Sequence, residues 1–218
     1  TNNEVGYLGN LKLTNKLRTL PISSTSKNIN IMIASTHHNE ENLIMPQIIN
    51  IGKKYPQINF FIAPRHPERS KIIFDLLKNK KLDVSLQSAI KNNQPQFLII
   101  DSFGKMGEFY CKSDIVFLGG SLTNNGGHNP IEAAEANCTI ITGPNVFNWQ
   151  NLYDDMIEQK CCLMVKNPKD LENSIIRLIE DKNLLSDFKK NALSFSKCSF
   201  FDEEKLLSVI NSKLEYNA

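Results

Sequence analysis

Six short apolar runs recur along the chain with helix-patterned stretches between them, and that alternation limits the fold more than any other feature. The runs are INIMIAS (29–35), INFFIAP (58–64), FLIIDS (97–102), DIVFLGG (114–120), TIITG (139–143) and CLMVK (162–166). Several consecutive apolar residues, many of them β-branched, without polar alternation, mark strands buried on both faces. Helical spacing is expected over 40–54, 67–78, 105–112, 130–136 and 148–159, and three further helices over 168–181, 184–196 and 201–214 close the chain. In the first of these, Leu43, Ile44, Ile48 and Ile51 share one side, and Pro46 implies a first-turn position or a kink. Pro67 lies near a helix start, where its missing N–H costs least. Strands alternating with helices give an α/β fold, a Rossmann-like and mostly parallel sheet with helices on both faces.

The polar run SSTSKN (23–28) sets residues 1–28 apart as linker and tail, leaving 29–218 as one domain. A net charge of +2 gives no case for nucleic acid or an acidic membrane surface. The five cysteines are odd in number and irregular in spacing, which fits neither a disulfide framework nor a zinc site and points to a reducing compartment. No signal peptide and no apolar run of membrane-spanning length is present. The chain starts TNNEVGYLGN, without an initiator methionine, and is expected to be a fragment of something longer.

Parallel sheets of this kind bind ligands beyond the carboxyl ends of their strands. The loops there are STHHNEE, PRHPER, DSFGKMGE, GGSLTNNGGHNP and GPNVFNW, all polar or glycine-containing. In the fourth, Gly119 and Gly120 end a strand, and Gly126 and Gly127 precede His128, Asn129 and Pro130. Asn129 suits an N-cap and Pro130 the first helical turn, and a helix start with free N–H groups suits a phosphate. Taken alone, the stretch reads at least as well as a capped turn whose glycines serve geometry. Glu132, on the first helical turn, can favour the helix dipole or accept hydrogen bonds from a ribose. In PRHPER, Arg65 and Arg69 flank His66. Arginine's planar fork suits phosphate or carboxylate, and the plain alternative pairs Arg69 with a neighbour such as Glu68. Glu40 and Glu41 are expected in a first helical turn, where carboxylates are favoured anyway, and are read as structural. His37, His66 and these glutamates lack a compelling metal-ligand spacing. No nucleophile elbow appears, and Ser121 has no local base.

Together, ASTHHNEE, PRHPER, DSFGKMGEFYCKSDIVFLGGSL, GGHNPIEAA and TGPNVFNW, in that order, resemble the C-terminal half of the bacterial Kdo transferases (3-deoxy-D-manno-octulosonic acid transferases of lipid A assembly). GNLKL (9–13) is similar to that family's junction between halves. Departures from the family pattern are Asn39 for glycine, Lys105 for glutamate, Ala133 for proline and Asn145 for histidine.

The resemblance implies the C-terminal domain of a GT-B glycosyltransferase, which binds the nucleotide sugar CMP-Kdo without metal or cofactor. An absent N-terminal domain would bind the lipid A precursor, supply the carboxylate base and contact the cytoplasmic face of the inner membrane. This domain alone would then be inactive. By the same resemblance, Arg65 and His66 approach the donor's phosphate or sugar carboxylate. Gly120, Ser121, Gly126, Gly127, His128 and Asn129 surround the phosphate, Glu132 holds the ribose, and Ser102, Phe103 and Gly104 border the cytosine. Thr36 and His37 match the family's first-strand loop, with no role assigned. The helix at 201–214 is expected to fold back toward the missing domain. Two other readings stand beside this one: a GT-B domain for a different nucleotide-activated sugar, and a non-catalytic nucleotide-binding remnant.

Overall fold

The computed structural model of the protein describes residues 28–90, 95–198 and 207. The expected linker, apart from Asn28, and the helix expected over 201–214, apart from Leu207, lie outside the described residues, and so does the direction in which that helix folds.

Seven strands form one sheet in which every pairing is parallel. They are β1 (Asn30–Thr36), β2 (Asn59–Pro64), β3 (Val84–Leu86), β4 (Phe97–Ile99), β5 (Ile115–Leu118), β6 (Thr139–Thr142) and β7 (Cys162–Met164). Their order across the sheet is β3-β4-β2-β1-β5-β6-β7. The helices are α1 (His38–Lys54), α2 (Ser70–Asn79), α3 (Met106–Cys111), α4 (Ile131–Glu135), α5 (Gln150–Glu158), α6 (Pro168–Glu180) and α7 (Lys182–Cys198).

Side chains alternate between the two faces of each strand, and both faces are covered. On β1, Ile31 and Ile33 join a core with Ile44, Ile48 and Ile51 of α1 and Leu171, Ile175 and Leu178 of α6. Met32 and Ala34 face the other way, into a core with Phe109 and Tyr110 of α3, Ile131 of α4, Tyr153 of α5 and Phe195 of α7. β5 repeats the pattern, with Ile115 and Phe117 in the first core and Val116 and Leu118 in the second. This two-sided burial is why the central strands read as unbroken apolar runs.

Four local expectations need correction. β3 has no counterpart among the six apolar runs: it is a three-residue edge strand whose Ser85 and Leu86 are only half-buried, so its alternation is too short to stand out. The 67–78 helix begins as a 3-10 turn over Pro67–Arg69 before α2 takes over at Ser70. Leu43 is 47% exposed and turns away from the core that holds its neighbour Ile44. Pro46 sits inside α1, exposed, and the helix continues past it to Lys54 because the carbonyl its ring frees belongs to Asn42 on the solvated side.

β1 lies between β2 and β5, so the chain turns to one side after β1 and reaches the other side only after β4. At this reversal the helices that follow β1 and β5 pack on opposite faces of the sheet, and it is at such a reversal that sheets of this kind bind ligands beyond their carboxyl edge.

Candidate functional site

The candidate site at this edge is built from the last residues of β1 and β5. The β1–β2 register shifts between Ala34 and Thr36, where Ser35 takes φ +54°, a conformation uncommon outside glycine. His37 follows and precedes the first turn of α1. On the facing side, the Gly119 N–H continues the ladder to the Ala34 carbonyl at 2.8 Å. A Cβ on Gly119 would lie 2.7 Å from a Glu40 carboxylate oxygen and 2.8 Å from the Ser35 carbonyl, so no larger residue fits.

The loop beyond β5 is pinned from several directions. The Glu40 carboxylate, fully buried, accepts the N–H groups of Gly120, Ser121 and Leu122 at 2.6, 3.0 and 2.9 Å. The Ser121 hydroxyl donates to the Leu118 carbonyl and accepts from the Gly143 N–H. Gly127 N–H donates to the Gly120 carbonyl, and Asn148 N–H to that of Gly126. The Tyr153 hydroxyl donates to the His128 carbonyl at 2.8 Å.

These bonds correct part of the phosphate cradle. Ser121 is fully buried with its hydroxyl and N–H both engaged, so it holds the loop and presents nothing to a ligand. The Gly120 N–H is likewise taken, and Gly120, Gly126 and Gly127 are buried. Gly126 is nonetheless required to be glycine: it has φ +83°, and a Cβ there would meet the Asn148 side chain at 2.3 Å. Asn129 accepts from the Ile131 N–H at 3.0 Å through its side-chain oxygen, but the N-cap is Pro130, whose carbonyl accepts the first helical N–H from Ala134, so the cap expected at Asn129 lies one residue early. The helix that follows is only five residues long, and its dipole contribution is correspondingly small.

Three of the four histidines converge at this edge. The His37 and His128 rings stack nearly parallel, with their Nε2 atoms 3.3 Å apart, and His66 meets His37 edge-on at 6.1 Å between ring centres. Burial, reinforced by His37 and Arg65, lowers His128 to about 4, against a smaller opposing effect of the Ser35 backbone. Burial also lowers His37, against the nearby Glu40 carboxylate. Arg65 and His66 are exposed beside them, and the Arg65 side chain has no ion pair among the described residues. Arg69 pairs with the Glu41 carboxylate at 2.6 and 2.8 Å rather than with Glu68, which sits 3.8 Å from His66. The Thr36 hydroxyl also donates to Glu41. Reading Glu40 and Glu41 as plain first-turn carboxylates therefore missed their partners. The signal available was two adjacent acids directly after a strand-end loop, and nothing in that pattern shows burial.

Glu132 is half-buried on the first turn of α4, and neither hydrogen bond nor ion pair engages its carboxylate among the described residues. Burial, then the neighbouring Glu135, raises its pKa. After β4, Ser102 and Gly104 are exposed and Phe103 is 76% exposed. The Ser102 hydroxyl donates to Gln87. Two strands separate this loop from β5, and no hydrogen bond or ring contact joins it to the histidines. Among the described residues no three His, Cys, Asp or Glu side chains group to hold a metal, and Cys111, Cys138, Cys161 and Cys162 are buried and in no disulfide. Two grooves, of about 770 Å³ between α6 and α7 and about 360 Å³ between α1 and α2, lie away from this edge. Chemically, the site offers a free guanidinium and imidazole donors to an anion, with an unpaired carboxylate four residues beyond His128 to take hydroxyl donors.

No family model matches the chain. It is 32% identical to the 3-deoxy-D-manno-octulosonic acid transferase of Rickettsia conorii, over 94% of this chain and 47% of that protein. It is 36% identical to the enzyme of that name from Haemophilus influenzae, over 68% of this chain and 36% of that protein. The chain thus spans about half the length, or less, of these curated relatives. Among solved structures, it superposes on the C-terminal CMP-Kdo binding domain of WaaA from Acinetobacter baumannii with TM-score 0.72 and 26% identity, covering 77% of this chain and 89% of that domain.

Proposed function

We propose that this chain, a relative of the bacterial Kdo transferases across their C-terminal half, is a donor-binding domain that takes CMP-Kdo for transfer to a lipid A precursor in lipopolysaccharide assembly. The likeness to the solved C-terminal CMP-Kdo binding domain carries the reading. The unpaired Arg65, the histidine cluster and the unengaged Glu132 carboxylate support it, because they suit a phosphate and a ribose at one sheet edge.

In the transfer, the acceptor hydroxyl oxygen bonds to the anomeric carbon of Kdo as that carbon's bond to the CMP phosphate oxygen breaks, with inversion. The hydroxyl proton passes to a carboxylate base on an N-terminal acceptor domain, and the electron pair leaves with CMP. Arg65 and His66 meet the charge that builds on the phosphate. Phe103 and its neighbours border the cytosine, and Glu132 accepts the ribose hydroxyls. The 1–28 segment links the two domains. Alone, the domain binds donor without turning it over, and the whole enzyme works at the cytoplasmic face of the inner membrane. Among the described residues no helix is long and apolar enough to cross a membrane. In this reading, membrane contact belongs to the other half.

Calorimetric titration with CMP, UDP and GDP tests this. Binding of CMP alone is expected. Preference for UDP or GDP would redirect the reading to a different nucleotide sugar, and binding of none would overturn it.

A further inference from the structure

We infer that Glu40 and Glu41 are positioning residues, adjacent carboxylates at the start of α1 that fix one donor-site loop each: Glu40 the loop after β5, Glu41 the loop after β2. Acids in a first helical turn ordinarily face water, where the helix dipole suffices to favour them. These two are 0% and 2% exposed. A carboxylate that deep is costly unless hydrogen-bonded, and burying it adds little to stability compared with a packed apolar side chain. Its effect is geometric. Glu40 takes three successive backbone N–H groups, from Gly120, Ser121 and Leu122. Glu41 takes two N–H groups of Arg69 and the Thr36 hydroxyl. Neighbouring helix residues point about 100° apart, and β1 lies between β2 and β5, so the pair diverges to the strands on either side. A Cβ at Gly119 would lie 2.7 Å from a Glu40 carboxylate oxygen, so the carboxylate can take this position only because residue 119 is glycine. Because Glu40 fills the N–H nest, a donor phosphate has to be met by the outward groups, Arg65, His66 and the His37–His128 pair.

The consequence for binding rests on the donor reading, while the loop geometry does not, and one experiment separates them. Amide hydrogen exchange on the chain with Glu40→Gln should show at least tenfold faster exchange at Gly120, Ser121, Leu122 and Gly127, with Arg65 and Arg69 unchanged. Glu41→Gln should give the converse. CMP affinity should fall at least tenfold in Glu40→Gln and stay unchanged in a core variant of matched stability, Ile48→Val. Should Glu40→Gln not fold, Glu40→Asp keeps the charge one methylene short and should show the same loop-selective pattern. Unchanged loop exchange, or equal loosening of both loops by both variants, would overturn the inference. Wild-type chain that ignores CMP would overturn the donor reading, and the exchange pattern would still decide the loops.

Discussion

The loops flanking β1 and the loop after β4 share one edge of the sheet and are built in opposite ways. Around β1, two buried carboxylates and an arginine fix the backbone before any ligand arrives. After β4, Phe103 stands 76% exposed, and a Cβ on Gly104 would meet only open space. The first region is held by charge-assisted bonds in a dry setting, where they are strong, and the second by exposed bonds, from Ser88 to the Asp101 carboxylate and from the Ser102 hydroxyl to Gln87. In the donor reading, the phosphate side is preorganised, while the exposed Phe103 ring is left to be ordered by what it covers, so more of the side-chain ordering cost falls on the β4 loop.

Variants can break this contrast, and the largest effect should come from the tight side. Arg69→Ala leaves the Glu41 carboxylate buried without its cation and should cost about 3 kcal/mol of unfolding free energy in urea titration. A loss below about 1 kcal/mol would mean that the pair holds nothing. Glu132→Ala should weaken CMP binding more than tenfold, about 1.4 kcal/mol, with the fold intact, and unchanged affinity would remove its ribose role. pH should separate the regions next. His128 stays neutral in the fold down to about 4, whereas the unfolded chain protonates near 6.5. The unfolded state thus binds more protons between these values, and stability should fall as pH drops from about 6.5 toward 4, by at most about 1.4 kcal/mol per pH unit. His37 adds to this slope, and Glu132, raised in the fold, opposes it near the carboxylate range. His128→Asn should flatten the slope in melts across that range; an unaltered slope would place the titration elsewhere. The smallest stability effect should be that of Phe103→Ala, within about 0.5 kcal/mol, with any loss appearing in CMP affinity instead. A larger destabilisation would show the β4 loop to be packed after all.

The sequence revealed what repeats and hid what pairs across distance. The central strands were legible because two-sided burial leaves unbroken apolar runs, as at Ile31–Ala34 and Ile115–Leu118. β3 escaped because an edge strand with a half-buried serine carries almost no pattern. At the site, the loops were readable, but the cap was placed one residue early: Asn129 bonds the Ile131 N–H, while Pro130 is the N-cap. Ser121 was misplaced because a serine beside glycines looks the same whether its hydroxyl faces a ligand or, as here, the Leu118 carbonyl and the Gly143 N–H. Glu40 was misjudged because only the fold brings it to Gly120, 80 residues on.

The reversal of strand order also bears on how the chain comes to be folded. Asn30 N–H donates to the Asp114 carboxylate across 84 residues, and β1 has no partner on that side until β5 exists. Pairings this distant are slow, since a long loop must close before any contact rewards it. During synthesis, β1 and β2 can meet early, but the site appears only after β5 has been made and docked. Its assembly is therefore a late event, tied to completion of the central sheet.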